Sequence, residues 1–155
     1  MKWNWKRLLI CLIIPLAVGG LAALLSGGMS DYGAMAKPPL SPPGWVFPVV
    51  WGVLCALMGI GAARVSLQEK TVWRSRGLNL FIAQLAVNFF WSLIFFNAQA
   101  FGFAFLWLLL LIVLVALMIY AFYKVDPLAA KLQIPYLLWL MFAAYLNFGV
   151  WYLNR

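Results

Sequence analysis

The sequence predicts an all-α membrane protein: a single bundle of five transmembrane helices with a long, proline-rich first loop. Three observations predict it. Hydrophobic residues make up 67% of the chain and charged ones 9%, with a mean hydropathy of +1.00. Such a composition cannot clothe a water-soluble surface. The apolar residues fall into five runs, 8–25, 46–63, 78–98, 101–123 and 132–153, each near the ~20 residues an α-helix needs to cross the hydrocarbon layer. The cations are one-sided. If the N-terminus is cytoplasmic, Lys2, Lys6, Arg7, Arg64, Lys70, Arg74, Arg76, Lys124 and Lys131 share its side, leaving Lys37 and Arg155 opposite. The positive-inside rule therefore puts the N-terminus in the cytoplasm and the first loop on the opposite side.

Residues 1–7 carry Trp3, Trp5 and three cations, an interfacial anchor. With the run to residue 25 they also carry the outline of a signal peptide. The run is longer than a signal core, however, and Pro15 with Gly19-Gly20 suits a kinked, closely packed span. The loop at 26–44 is long for a compact bundle. Pro38-Pro39 and Pro42-Pro43 make its second half a stiff strap, because proline fixes φ and holds the preceding residue extended. Tyr32 and Met35 are placed to pack over the bundle mouth.

The second span begins near Trp45, with Pro48 in the first turn, where its missing N–H costs nothing. Trp51, Cys55, Met58 and Ala62 share one face by helical spacing, and Gly52, Ala56 and Gly59 form a small-residue stripe beside it. Residues 64–77 read as a polar, solvated connector. In the third span Gln84, Asn88, Trp91 and Phe95 form a polar-aromatic seam. An unpartnered amide in hydrocarbon costs several kcal/mol, so both amides must face the interior, bonding other helices or a ligand. Residues 97–100 leave room for a tight turn only, and the fourth run is uniformly apolar scaffold. Asp126-Pro127 ends it. In the fifth span Trp139, Phe142, Ala143, Leu146 and Asn147 lie on one face, aromatic rings with a gap at Ala143 and an amide beyond.

The function classes excluded are as informative. The chain has no histidine, and its cysteines, Cys11 and Cys55, lie in different spans. That removes Ser-His-Asp and Cys-His catalysis, histidine-dependent metal sites and histidine-ligated haem. No span holds Asp, Glu, Lys or Arg within its hydrocarbon stretch, which disfavours a coupled transporter needing a titrating carboxylate. The net charge of +8 serves orientation and anionic lipid contact rather than nucleic acid. What remains is an aromatic slot with one or two amides under a stiff lid. It suits a large, flat, mostly apolar ligand held by ring contacts.

Three motifs carry a family resemblance: Lys37-Pro-x-x-x-Pro-Pro-Gly44 leading to Trp51-Gly52; Gln84-Leu-Ala-x-Asn88-x-x-Trp91; and Pro135-Tyr-x-x-Trp139-x-x-Phe142-Ala-x-x-Leu-Asn147. With these, in these spans and this order, the chain resembles the tryptophan-rich sensory protein/translocator protein family, also called peripheral-type benzodiazepine receptors. The resemblance implies a five-helix bundle, usually a homodimer, with a ligand cavity under the first loop. Implied ligands are porphyrins and related tetrapyrroles, isoquinoline or benzodiazepine drug-like molecules and, in animal members, sterol. The matching ligand-binding positions are Tyr32, Pro42, Phe47, Trp51, Asn88, Trp91, Trp139, Phe142, Ala143 and Asn147, to which the face of the second span adds Cys55. No dedicated sterol site is expected, since the loose sterol pattern fits both Val115…Tyr120…Lys124 and Val150…Tyr152…Arg155. The expected function is a receptor or carrier of porphyrin, bound as a ligand with no cofactor required. Any catalysis would be light-dependent porphyrin breakdown with Trp51 and Trp139 as electron partners. A passive porphyrin transporter and a membrane regulatory or assembly partner are the alternatives.

Overall fold

The computed structural model describes residues 4–25 and 35–154. Among these described residues six helices follow one another: α1 (Trp5–Leu25), α2 (Val46–Ser66), α3 (Val72–Ser92), α4 (Phe101–Val125), α5 (Pro127–Leu132) and α6 (Ile134–Asn154). A π-helical turn, Leu93–Asn97, continues α3. Five helical segments are long and apolar enough to span a membrane, α5 and α6 counting as one.

Several helix ends lie outside the apolar runs because capping residues, not hydropathy, set them. Asn4 Oδ1 accepts from the backbone N–H groups of Lys6 and Arg7 at 3.1 and 3.3 Å, starting α1 before its apolar stretch. Thr71 Oγ1 accepts from the Arg74 N–H at 3.2 Å and starts α3 six residues before the third run. The connector read at 64–77 is therefore mostly helix, and only residues 67–71 join α2 to α3. Asp126 Oδ1 caps α5 through the Leu128 N–H at 3.1 Å, with Pro127 opening the helix.

Around the bundle the order is α1, α2, α6, α4, α3 and back to α1, with α5 wedged between α2 and α4 at one end. Leu54, Met58, Leu85, Leu111, Val115 and Tyr136 belong to the shared core. The helices α1 and α2 approach closely at Gly59, where a Cβ would fall 2.8 Å from the Leu12 Cα. At the end bearing α5, Arg64 Nε pairs with Asp126 Oδ2 at 2.8 Å, while Arg7 and Arg74 both donate to the Ser66 carbonyl. That end is held by ion pairing and charge-assisted hydrogen bonds.

At the opposite end the proline strap lies on the last turns of α6. Pro38 is buried against Gly149, where an added Cβ would fall 2.3 Å from the proline ring. Tyr145 Oη donates to the Pro39 carbonyl at 2.6 Å, and Asn154 Nδ2 donates to the Ala36 carbonyl at 2.8 Å. Leu40 turns the strap with a φ of 71°, and Ser41 Oγ donates to the Pro38 carbonyl at 2.7 Å. The stiffness expected of the prolines is thus put to use, holding Lys37 and Ser41 over the bundle.

Candidate functional site

Along most of their length α2 and α6 stand apart. Two ring contacts bridge the gap: Phe47 meets Trp139 edge-on at 5.7 Å, and Trp51 meets Tyr136 edge-on at 6.2 Å. Beside this bridge lies a cavity of about 470 Å³, within the ~300–1,000 Å³ usual for small-molecule sites. Lys37 and Ser41 of the strap line it, with Phe47 and Trp51 from α2, Asn88 and Trp91 from α3, and Trp139, Ala143 and Asn147 from α6. These seven helix residues are sequence-expected positions that the fold brings together.

Three other expected positions lie off the cavity wall. Cys55 is fully buried one helical turn beyond Trp51, among core side chains. Phe142 lies on the flank of α6, its ring 5.6 Å from Trp139 and 6.2 Å from Tyr145. Pro42 is half-buried in the strap, where its neighbour Ser41 lines the cavity instead. Tyr32 lies outside the described residues.

Polar groups around the cavity are arranged by one hydroxyl. Tyr136 is 1% exposed, and its Oη donates to Gln84 Oε1 at 2.6 Å. A phenol has a single proton to give, so the neighbouring Asn88 must present its amide NH₂, which donates to Tyr136 Oη at 2.9 Å. Gln84 Nε2 turns to Met58 Sδ at 3.6 Å. Asn88 Oδ1 is then left as an acceptor at the cavity wall. Asn147 differs: its Oδ1 accepts from Trp91 Nε1 at 3.0 Å and its Nδ2 donates to the Phe101 carbonyl at 2.9 Å. That amide fixes the Trp91 indole, which stacks on Phe95 at 5.0 Å. Phe95 belongs to the π-helical turn and also lines the cavity, and such turns concentrate at functional sites.

Sequence reasoning missed two parts of the site. One is the wall from α1, where Leu16, Gly19 and Ala22 line the cavity. The Trp51 indole lies across Gly19 so closely that a Cβ there would fall 1.8 Å from Nε1. Among the described residues that Nε1 is buried without a hydrogen-bond partner. The other is Tyr136. Its helical spacing with Leu140, Ala143 and Asn147 was legible, but its partner Gln84 could be found only in three dimensions.

The fold and cavity define an integral, multi-pass membrane protein with an aromatic chamber between its second and last spans. Within that class the chain belongs to the TspO/MBR family, whose profile matches residues 11–153. It is 40% identical over 133 residues to the translocator protein of Homo sapiens, covering 80% of this chain and 75% of that one. Protein CrtK of Rhodobacter capsulatus is 39% identical over 137 residues, 88% of this chain and 85% of its own. A tryptophan-rich sensory protein of Cereibacter sphaeroides is 34% identical over 154 residues, 99% of this chain and 95% of its own.

Proposed function

We propose that this protein is a membrane receptor or carrier for tetrapyrroles, with metal-free porphyrin as its preferred ligand. The cavity wall carries the proposal: aromatic rings from α2, α3 and α6 surround the space, and among the described residues lining it there is no His, Cys, Met or Tyr. Flat rings favour a flat, apolar ligand, each ring contact contributing about 0.5–1.5 kcal/mol beyond area burial. The described wall thus offers iron no axial ligand. Asn88 Oδ1 supplies one acceptor, and Lys37 on the strap supplies a cation suited to a propionate carboxylate.

The N-terminus lies in the cytoplasm and the strap on the opposite side, so the cavity mouth faces away from the cytoplasm. Under light, the bound porphyrin acts as photosensitiser, dioxygen as oxidant, and Trp51 and Trp139 as electron donors. Absorbance titrations of the detergent-purified protein test the binding claim. Protoporphyrin should saturate at micromolar concentration and bind at least tenfold more tightly than its iron complex. Equal or tighter binding of the iron complex would contradict the assignment. Porphyrin loss at equal rates in light and darkness would remove the photochemical part alone.

A further inference from the structure

Away from the large cavity, a cleft of about 340 Å³ opens between α4 and the junction of α5 with α6. Ala116, Ile119, Ala130 and Ile134 form its apolar part, and Lys131 lines it with Tyr120 and Tyr123. Ala116, Tyr120, Tyr123, Lys131 and Ile134 are exposed, so in a bundle of five spans the cleft faces lipid. From Ala116 to Tyr123 it runs roughly 10 Å along the axis of α4 at 1.5 Å per residue. It passes from an apolar floor to a cationic, phenolic head.

That head stands among a surplus of cations. Lys124 lies over the Tyr120 ring at 5.2 Å, and Arg7, Arg64 and Arg74 occupy the same end of the bundle. The nearby carboxylate, Asp126, is engaged by Arg64. Among the described residues, neither Lys131 Nζ nor the Tyr123 hydroxyl has a hydrogen-bond partner. A cation and a hydroxyl above a narrow apolar trough match an amphiphile with a phosphate at its head and a chain below it.

We propose that this cleft is a site for one anionic phospholipid. Lys131 and the Tyr123 hydroxyl bind its phosphate, and the start of an acyl chain lies over Ala116 and Ile134. A zwitterionic lipid brings the same phosphate with its own cation, so the anionic lipid gains more from Lys131. Bound there, the lipid joins α4 to the α5–α6 junction.

Native mass spectrometry of the delipidated full chain, given equal phosphatidylglycerol and phosphatidylcholine, tests the site. The wild type should retain one phosphatidylglycerol in preference. Lys131→Gln should cut that preference about fivefold, the equivalent of one cation near an anionic surface. Lys70→Gln removes the same charge in the exposed segment between α2 and α3 and should leave the preference unchanged. Ala116→Leu fills the trough from an exposed position and should weaken retention of both lipids, with Ala116→Val as the milder substitute if the helical signal is lost. Millimolar inorganic phosphate should not displace the lipid. Equal effects of the two lysine variants, or full retention in both Ala116 variants, would overturn the proposal. Displacement by phosphate would assign the site to a free anion instead.

Discussion

Gly19 and Gly20 are neighbours on α1, both line the cavity, and the structure predicts opposite fates for them. A Cβ at Gly19 would lie 1.8 Å from Trp51 Nε1, whereas one at Gly20 meets nothing within 4 Å. Glycine to alanine in a helix interior contributes about 1 kcal/mol of propensity at either position. At Gly20 that gain stands alone. At Gly19 the indole must retreat by roughly 2 Å to reach an ordinary contact distance, and overpacking of this kind costs about 1–3 kcal/mol. The indole also meets Tyr136 edge-on and lines the cavity, so its displacement reshapes the ligand space. Gly19→Ala should therefore weaken porphyrin binding by about tenfold to a hundredfold, the equivalent of roughly 1.4–2.8 kcal/mol and within that overpacking cost. Gly20→Ala should bind as the wild type does and melt slightly higher. Tryptophan-quenching titrations and thermal melts in one detergent read both quantities. Indistinguishable titrations for the two variants would refute the packing of Trp51 on Gly19.

Other consequences follow from single contacts. Tyr136→Phe removes the hydroxyl joining Gln84 to Asn88 and should lower stability by about 0.6–1.7 kcal/mol, the range for interhelical hydrogen bonds in membranes. A melt unchanged from wild type would mean the network contributes nothing. Asp126→Ala loses both the Arg64 ion pair and the α5 cap, worth about 1 kcal/mol. Asp126→Asn keeps a capping oxygen, so its midpoint should fall between those of wild type and Asp126→Ala, and the reverse order would rule the cap out. Gly149→Ala drives a methyl into Pro38 and should lift the strap, raising cleavage there by an added protease and speeding porphyrin release severalfold. Unaltered cleavage and release would show that the strap is not held through that contact.

How far the sequence could be read depended on whether a residue's neighbours lay on its own helix. The five spans were legible because hydrocarbon thickness alone demands long apolar runs. Their true ends were not, since Thr71 and Asn4 cap helices that project beyond the apolar layer. The short helix α5 went unread although Asp126-Pro127 is a cap followed by a first-turn proline; six residues are too few for periodicity to speak. Trp51, Trp91 and Trp139 were found because aromatic and amide residues recur at helical spacing. Phe142 shared that spacing with Trp139, but the bundle turns Tyr136, Leu140 and Asn147 inward and leaves Phe142 on the flank. Cys55 lies on the same face as Trp51 yet one turn further along, beyond the cavity wall. The α1 wall left no signal, because a helix apolar all round does not say which face is inward.

The proposed porphyrin site is the cavity lined by Trp51 and Trp139. It is tested most directly by titrating purified protein with protoporphyrin while following tryptophan fluorescence, in the wild type, Trp51→Phe, Trp139→Phe and Trp107→Phe. Trp107 is the control, since its indole donates to the Val87 carbonyl at 2.8 Å and lies off the cavity wall. Quenching should saturate in the wild type, weaken in the first two variants and persist in the third. Linear quenching, alike in all four proteins, would mean that porphyrin only partitions into the micelle, and would contradict that site.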